Sequence, residues 1–503
     1  MEMMSWVSLT GYFALMIGIG FYAWAKSNAT AQGYMLGGRD LGPSVTALSA
    51  GASDMSGWLL MGLPGAVFSQ GLAAAWIGIG LTIGAYANYR VVAPRLRTYT
   101  ELANDAITIP DFLEERFGDT SRILRVVAAL VIIIFFTLYC SAGMVAGGKF
   151  AVSALGMDYL TGVTLAAGVV VIYVLFGGFL AVSLTDFVQG VIMFIGLVLV
   201  PIIAIGAIGG WGAIGPGLAA TELGRGLASG TMTNWLTGTS VIGVISAAAW
   251  GLGYFGQPHI IVRFMAIRDV RDLPTARRIN IGWMAVSLAG AVATGLIGAV
   301  WATRSGATVA DPETIFIILA RTLFHPLVTG FLLAAILAAI MSTISSQLLV
   351  TASSLAEDIW RGVIRRGASE RSVVAIGRAS VLGVAVLSAV LAINPDSSIL
   401  SLVANAWAGF GAAFGPVIIA SLWWRGTTRW GALAGMLVGA ATVGAWIMLG
   451  LSASLYEIVP GFAAASLALW LASLFTARPD EPHLAMFARA ADAARQSTRP
   501  SLA

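Results

Sequence analysis

The sequence predicts an all-α polytopic membrane protein with about 13 transmembrane helices. Of its 503 residues, 58% are hydrophobic and only 10% are charged, whereas about a quarter of the residues in a soluble domain are charged. Apolar runs of about 20 residues, long enough to cross a bilayer as a helix, recur along the chain. A third observation is Asp54, a carboxylate that lies among glycines and hydroxyl groups inside one of these runs.

The apolar runs define the predicted spans and leave no stretch that resembles a soluble domain. They cover residues 5–25, 43–68, 73–93, 123–151, 158–179, 185–206, 236–262, 279–303, 323–356, 374–393, 398–424, 431–450 and 456–476. One transmembrane domain is therefore expected at residues 1–476, followed by a short cytoplasmic tail at 477–503. An odd number of spans places the two termini on opposite sides of the membrane.

Arginines indicate the orientation, because Lys26 and Lys149 are the only lysines. Loops rich in positive charge stay in the cytoplasm. The loops that carry most of the arginines all fall on the side of the C-terminus, so the N-terminus is predicted to lie outside. In such loops the arginines set topology, and no nucleic acid partner is expected. They are Arg39, Arg90, Arg95, Arg97, Arg116, Arg122, Arg263, Arg268, Arg271, Arg277, Arg278, Arg425 and Arg429, with further arginines at 361–378 and from 478 onward.

The second span contains a predicted helix break at residues 51–57. Irregular backbone persists at the bilayer centre only where it faces protein or water. Glycines alone would equally fit close helix packing, but Asp54 favours a site, because an unpartnered charge there costs at least about 2.5 kcal/mol.

A matching break at residues 250–258 lies five spans later. Such pairs are typical of a five-plus-five inverted repeat with a binding site at the midplane. The repeats would cover about 43–206 and 236–424, with peripheral helices at 5–25, 431–450 and 456–476.

Oxygen atoms predict a cation site beside the first break. Unwound carbonyls at residues 52–57 are hard ligands that suit a monovalent cation. Ser342 and Thr343 in the ninth span could complete its shell, and sodium fits such an oxygen set. The alternative for these hydroxyls is a hydrogen bond to the carbonyl four residues earlier.

Aromatic residues lie beside the second break. Trp250, Tyr254 and Pro258 are spaced at i, i+4 and i+8, which would align them on one face if the helix continued. They would form a compact apolar box for a small ring, or simply line a helix contact. Tyr139 in the fourth span adds another hydroxyl.

Two further charges allow two interpretations each. Asp186 follows Thr185 after a Gly-Gly turn, so it could cap a helix or lie on an inward ion exit path. Arg39 is either a topology signal or an internal gate charge.

An enzyme is not predicted. The three histidines are scattered, and no phosphate loop or Ser-His-Asp arrangement is visible. The single cysteine, Cys140, excludes an internal disulfide. No cofactor is expected apart from a co-transported sodium ion.

These motifs resemble the sodium:solute symporter family, and within it the branch that transports proline. The similarity runs along nearly the whole chain. Its longest matching stretches are residues 36–39, 45–68, 177–186, 250–259, 337–343 and 406–416. Ala404 and Asn405 depart from the family pattern, in which a serine and a tyrosine precede the Ala-Trp pair.

The resemblance implies a LeuT-like fold of thirteen helices and a set of roles for the residues above. Sodium would be held by carbonyls of Ala52, Met55 and Ala339 and by hydroxyls of Ser342 and Thr343. Proline would contact Ser56, Gly57, Tyr139, Trp250, Tyr254 and Pro258. Coupling and gating would involve Asp54, Arg39 and Asp186.

The implied function is import of L-proline coupled to sodium by alternating access in a bacterial inner membrane. The lipid bilayer would be its surroundings, and a monomer would suffice. The alternatives are a sodium-coupled symporter of another small amino acid or carboxylate, a transporter-like sensor, or a channel.

Overall fold

The computed structural model describes residues 3–26, 30–394 and 398–497, which fold almost entirely into helices. Within these ranges no β-strand occurs, and an isolated parallel bridge joins Leu41 to Ile267. The α-helices are Met3–Lys26, Ala31–Leu36, Pro43–Asp54, Leu63–Gln70, Trp76–Val91, Ala93–Leu102, Ile109–Phe117, Ile123–Phe150, Tyr159–Ala207, Ile214–Gly224, Val241–Ala248, Pro258–Ala266, Leu273–Ser305, Ile315–Leu323, Pro326–Ser353, Glu370–Leu391, Ile399–Trp423, Arg429–Met448, Ile458–Phe475 and Glu481–Ser497. Short 3₁₀ segments are Gly37–Arg39, Leu72–Ala75, Trp211–Ala213, Ala249–Gly256, Val270–Asp272, Pro312–Thr314 and Leu451–Ala453, and π-helical segments are Trp58–Gly62, Ala151–Leu155 and Ser354–Ile364.

Nine helical segments in the described ranges are long and apolar enough to cross a membrane, judged by length and composition. They are Met3–Lys26, Ile123–Leu155, Tyr159–Ala207, Val270–Ser305, Pro326–Ile364, Glu370–Leu391, Ile399–Trp423, Arg429–Met448 and Ile458–Phe475. The predicted class, an all-helical multi-pass membrane protein, is confirmed at this level. The tail contains the helix Glu481–Ser497, and its last residues, 498–503, lie outside the described ranges.

Burial separates a central layer of helices from a peripheral one. In the most apolar stretch of Pro326–Ile364, 83% of the residues are buried inside the protein, and the value for Ile399–Trp423 is 78%. The value falls to 28% for Met3–Lys26 and for Ile458–Phe475. A membrane helix that is apolar all round but buried must be covered by other helices. The segment that carries Ser342 and Thr343 is therefore at the centre of the fold.

The connection between the predicted fifth and sixth spans differs from the expectation. One helical run covers Tyr159–Ala207 and bends at Gly178, whose φ of 54° and ψ of −147° depart from helix geometry. A Cβ at Gly178 would lie 2.6 Å from the Tyr34 carbonyl oxygen, so close packing also requires glycine. The interpretation of Thr185 and Asp186 as helix caps is wrong, because both lie inside the helix and Thr185 Oγ1 donates to the Ala181 carbonyl at 2.9 Å.

Several arginines assigned to loops by their sequence position are buried. The Arg116 side chain lies in Ile109–Phe117, and its Nε donates to the Ser421 carbonyl at 2.9 Å. Burial lowers the pKa of the Arg116 guanidinium below its usual value. Thr108 caps the start of this helix, because Thr108 Oγ1 accepts from the Asp111 amide at 3.1 Å.

A short backbone seam lies beside these arginines. The Leu41 amide donates to the Ala266 carbonyl at 3.1 Å, and the Arg268 amide donates to the Leu41 carbonyl at 3.0 Å. This pair joins the segment before Pro43–Asp54 to the end of Pro258–Ala266. The seam thus links the two regions in which the sequence predicts interrupted helices.

Candidate functional site

The helix Pro43–Asp54 ends inside the protein. Met55 leaves helical geometry with φ −79° and ψ 71°, and the chain resumes as a π-helical segment at Trp58. The Ser56 amide bonds back to the Asp54 carbonyl at 2.9 Å. Pro64 follows in the first turn of Leu63–Gln70, where its missing N–H is tolerated. Residues 55–57 are buried, so carbonyl and amide groups at this helix end face protein.

Oxygen atoms from two segments meet beside this helix end. Ser342 Oγ donates to the Ala52 carbonyl at 2.8 Å and lies 3.1 Å from the Ala339 carbonyl. Thr343 Oγ1 donates to the same Ala339 carbonyl at 3.3 Å. The structure thus brings together four of the five predicted sodium ligands. Met55 is buried at the helix end next to them. Both hydroxyls also bond to the Ala339 carbonyl in the preceding turn of their own helix, as expected if they only satisfy backbone groups.

Asp54 and Tyr254 form the link between the two predicted breaks. The Tyr254 hydroxyl donates to Asp54 Oδ2. Asp54 Oδ1 accepts no hydrogen bond from any residue that the structure describes. The Asp54 side chain is buried, so this carboxylate has one neutral donor and spare acceptor capacity. A buried carboxylate in this state attracts a cation.

At the second predicted break the structure has the 3₁₀ segment Ala249–Gly256, followed by Pro258–Ala266. A 3₁₀ helix has three residues per turn, so residues four apart do not share a face. The alignment of Trp250, Tyr254 and Pro258 on one face, which required the helix to continue, therefore does not occur. A Cβ at Gly253 would overlap the Trp407 ring, which explains why a small residue is needed here.

Aromatic rings nevertheless surround the 3₁₀ segment. Trp250 lies 6.1 Å from Trp58 between ring centroids and stacks on Tyr456 at 5.4 Å. Tyr254 meets Trp407 edge-on at 5.2 Å, and Trp407 Nε1 donates to the Trp250 carbonyl at 2.8 Å. Rings with fixed hydrogen bonds form a rigid apolar wall. This wall stands next to the Asp54 carboxylate.

The remaining predicted substrate residues divide into two groups. Tyr139 lies near Ser56 and Asp54, and its hydroxyl has no well-formed hydrogen bond within the described residues. Gly57 packs closely, since a Cβ there would lie 3.0 Å from Cβ of Ala146. Pro258 begins the next helix and lines a separate small cavity. The structure therefore brings Tyr139, Ser56 and Gly57 to the first break and places Pro258 apart from the ring wall.

Asp186 lies in a buried polar cluster. Its Oδ2 accepts from Arg263 Nη2 at 3.1 Å and from Ser49 Oγ at 2.8 Å. Ser346 Oγ lies 3.3 Å from the same oxygen and also accepts from Arg263. The side chains of Asp186 and Arg263 are both fully buried. Assigning Arg263 to a loop was therefore wrong, because it lies inside Pro258–Ala266 and pairs with Asp186 of Tyr159–Ala207.

Arg39 is buried and fully engaged rather than a solvated loop charge. Its Nη1 donates to the Met265 carbonyl at 2.7 Å and its Nη2 to the Ala106 carbonyl at 2.8 Å. Its Nε pairs with Asp105 at 2.6 Å. Arg39 thus ties the segment before the first break to the end of Pro258–Ala266. Burial lowers the pKa of the Arg39 guanidinium, and the Asp105 carboxylate opposes this shift.

Sequence reasoning missed several residues of this site. They are Trp407, Tyr456, Arg263, Ser49 and Ser346, which come from several segments of the chain. Arg263 carried a usable signal, because it is the only charged residue in the apolar helix Pro258–Ala266. Tyr456 carried none, since it follows a loop far along the chain and reaches the Ala404 carbonyl with its hydroxyl at 2.8 Å.

Comparison with known proteins identifies similar sequences over most of the chain. A family model described as the sodium:solute symporter family matches residues 34–439. The chain is 57% identical over 483 residues to the osmoregulated proline transporter OpuE of Bacillus subtilis (strain 168), with 96% of each chain covered. It is 58% identical over 466 residues to the high-affinity proline transporter PutP of the same organism, which covers 93% of this chain and 97% of that one. It is 52% identical over 485 residues to the sodium/proline symporter of Staphylococcus aureus (strain JH9), which covers 94% and 93%.

Solved structures show the same arrangement of helices. A Na⁺-coupled sialic acid symporter in a substrate-bound outward-open state superposes with a TM-score of 0.79 at 19% identity, covering 95% of this chain and 99% of that one. The transporter Mhp1 of the nucleobase-cation-symport-1 family, in a closed conformation, gives a TM-score of 0.51 at 13% identity, covering 92% and 98%. At these identities the similarity concerns the fold alone.

Proposed function

The chain belongs to the sodium:solute symporter family, and from this premise we propose that it imports L-proline together with sodium by alternating access. Relatives named as proline transporters or as sodium/proline symporters match it at 52–58% identity over more than nine tenths of its length. The observation that carries the proposal is the contact between Ser342 Oγ and the Ala52 carbonyl, since it joins the interrupted helix to the central one at an oxygen-rich point.

We propose thirteen spans in a five-plus-five inverted repeat. The nine long helices accommodate this number, because Tyr159–Ala207 holds the fifth and sixth spans in one bent run. The third span corresponds to Trp76–Val91, which is 16 residues long. The second and seventh correspond to shorter helices that flank 55–57 and 249–256. The repeats are 43–206 and 236–424, and the domain extends over 1–476 with the tail at 477–503.

The orientation follows from charge. Arginine-rich segments and the tail helix would face the cytoplasm, which puts the N-terminus outside. Bacterial relatives support the inner membrane as the location. One copy of the chain contains every residue of the proposed site.

The proposed sodium site consists of carbonyls of Ala52, Met55 and Ala339 with the hydroxyls of Ser342 and Thr343. Hard oxygen ligands and spare lone pairs suit an alkali cation. In the structure, Ser342 and Thr343 direct their hydrogens to the carbonyls. A sodium ion among these oxygens would replace the hydrogen bonds and pull the two segments together.

The proposed proline site lies between the first break and the ring wall. Ser56, Gly57 and Tyr139 would contact the carboxylate and the ring nitrogen, since amides and hydroxyls supply donors to the carboxylate while carbonyl and hydroxyl oxygens accept from the protonated nitrogen. Trp250 and Tyr254 would enclose the pyrrolidine ring. Pro258 would act at a distance by fixing where the helix resumes after the 3₁₀ segment.

The proposed coupling makes sodium binding a condition for proline binding. Sodium would fix residues 52–57 in the shape that accepts the substrate, and Asp54 would balance its charge while orienting Tyr254. Each sodium ion that enters with one zwitterion is driven by about 2.3 kcal/mol per 100 mV. Arg39 and Asp186 would control release on the cytoplasmic side, because both bridge the two halves.

The test is uptake of labelled proline into proteoliposomes with and without an inward sodium gradient. Accumulation above the external concentration is expected only with the gradient. Equal uptake under both conditions would contradict coupling, and non-saturating uptake would indicate a channel. Competition by other small amino acids or carboxylates determines whether proline is the preferred solute.

Replacing Ser342 by alanine is expected to raise the half-saturating sodium concentration about tenfold. The variant removes one ligand, and a hydrogen-bond-like contact to a charge is worth roughly 1.5 kcal/mol. Sodium-dependent uptake at saturating proline measures the effect. Ser353→Ala is the matched control, because Ser353 lies on the same helix and its Oγ donates to the Leu349 carbonyl at 2.8 Å, one turn earlier. If both variants changed the half-saturating sodium concentration equally, Ser342 would not be a ligand in the proposed ion site.

A further inference from the structure

Four arginines surround a cavity at one end of the protein, away from the proposed transport site. The cavity has a volume of about 310 Å³. Its walls come from the ends of three helices, from the first turn of Ala93–Leu102 and from the tail helix Glu481–Ser497. No acidic residue within the described ranges lines it. The lining residues are Tyr89, Arg90, Pro94, Arg95, Leu273, Pro274, Arg277, Trp423, Ala494 and Arg495.

Aromatic rings hold two of these arginines in place. Arg95 stacks on the Trp423 ring at 3.6 Å from its centroid, and its Nη1 donates to the Leu422 carbonyl at 2.6 Å. Arg277 lies over the Tyr86 ring at 5.2 Å. Arg495, on the tail helix, lies 3.9 Å from an oxygen of Asp492, and both side chains are exposed.

Like charges in the cavity affect one another. The pKa of the Arg95 guanidinium is lowered, first by burial and then by the positive charge of Arg495. An anion in the cavity would stabilise the charged form of the Arg95 guanidinium, because it would supply a counter-charge and hydrogen-bond acceptors. Guanidinium groups match the oxygens of a phosphate in geometry as well as in charge.

The position of the cavity indicates a lipid as the source of that phosphate. It lies at the C-terminal ends of Trp76–Val91 and Ile399–Trp423 and at the N-terminal end of Leu273–Ser305. Tyr86 and Trp423 are about half exposed here, and exposed tyrosine and tryptophan mark the headgroup level of a bilayer. Basic pockets between membrane helices are typical sites for anionic headgroups.

We propose that this cavity binds the headgroup of an anionic phospholipid, with Arg90, Arg95 and Arg277 on its phosphodiester and Arg495 closing the site from the tail. The bound lipid would join the tail helix to the membrane helices. Ala490 and Ala494 of the tail helix are buried, so the helix already packs against the protein near the cavity.

The experiment uses the full-length chain, purified and delipidated, and measures binding of phosphatidylglycerol and of phosphatidylcholine by native mass spectrometry. Wild type is expected to retain phosphatidylglycerol selectively. The variant Arg90→Gln/Arg277→Gln is expected to bind it at least about tenfold more weakly, because each arginine near an anionic lipid contributes about a fivefold factor. Arg95 is left unchanged, since its bond to Leu422 supports the fold.

The matched control is Arg278→Gln/Arg366→Gln, which removes the same charge from exposed positions outside the cavity. This variant is expected to bind phosphatidylglycerol like wild type. Equal loss in both variants, or equal retention of both lipids by wild type, would overturn the proposal. Displacement of the lipid by inorganic phosphate beyond that by chloride at the same ionic strength would also overturn it, since it would identify a soluble anion as the ligand. Thermal unfolding in phosphatidylcholine verifies that the variants fold.

Discussion

Replacing Asp54 by asparagine is expected to raise the half-saturating sodium concentration for proline uptake about 70-fold. The substitution keeps the size of the side chain and a hydrogen-bond acceptor for Tyr254, but it removes the charge. A buried carboxylate near the proposed ion contributes about 2.5 kcal/mol at the effective dielectric constant of about 20 found in proteins. Uptake into proteoliposomes at a series of sodium concentrations measures the shift.

The control for this prediction is Asp40→Asn. Asp40 is exposed and lies shortly before the same helix, so the change in net charge is identical. Its sodium dependence is expected to match wild type. If the Asp54 variant had the same sodium dependence as wild type, Asp54 would have no role in ion coupling, even if the maximal uptake rate of the variant were lower.

Replacing Arg263 by glutamine is expected to destabilise the protein by about 3–5 kcal/mol. The change leaves the fully buried Asp186 carboxylate without its cation, and breaking one side of a buried pair has this cost. The variant Asp186→Asn/Arg263→Gln is expected to recover much of the loss, because it removes both charges. Thermal unfolding of the purified protein measures both variants.

Additive losses in the double variant would contradict a direct interaction between Arg263 and Asp186. Arg278→Gln serves as the control, since it is an exposed arginine on the following membrane helix. It is expected to unfold like wild type. Uptake by the double variant then separates the contribution of the pair to stability from any contribution to sodium release.

Composition and apolar periodicity were sufficient to predict the fold class, because a helix must cross the bilayer with all of its backbone hydrogen bonds formed. The polar residues at 52–56 also marked one helix end correctly, since Asp54 is the last residue of its helix. The end of the seventh predicted span was harder to predict. The glycines and Pro258 predicted a break at residues 250–258, but no local pattern indicated that Ala249–Gly256 would be a 3₁₀ segment with close contacts at Gly251 and Gly253.

Buried charges were the main source of error. Arg263 was counted as a topology signal because the positive-inside rule uses only position along the chain. Its partner Asp186 lies 77 residues earlier, and no local pattern connects the two. Asp186 itself was given a possible capping role because a glycine pair precedes it. The bend at Gly178 instead continues into a helix that contains Asp186 in its interior.

The seam between Leu41 and residues 266–268 makes two peptide amides reporters of the transport cycle. Their hydrogen bonds join regions that must separate if the protein opens on this side. Each opening would expose the Leu41 and Arg268 amides to water and let their hydrogens exchange with deuterium. The fraction of time in which this side is open would then be readable from the backbone, without an attached probe and without a substrate.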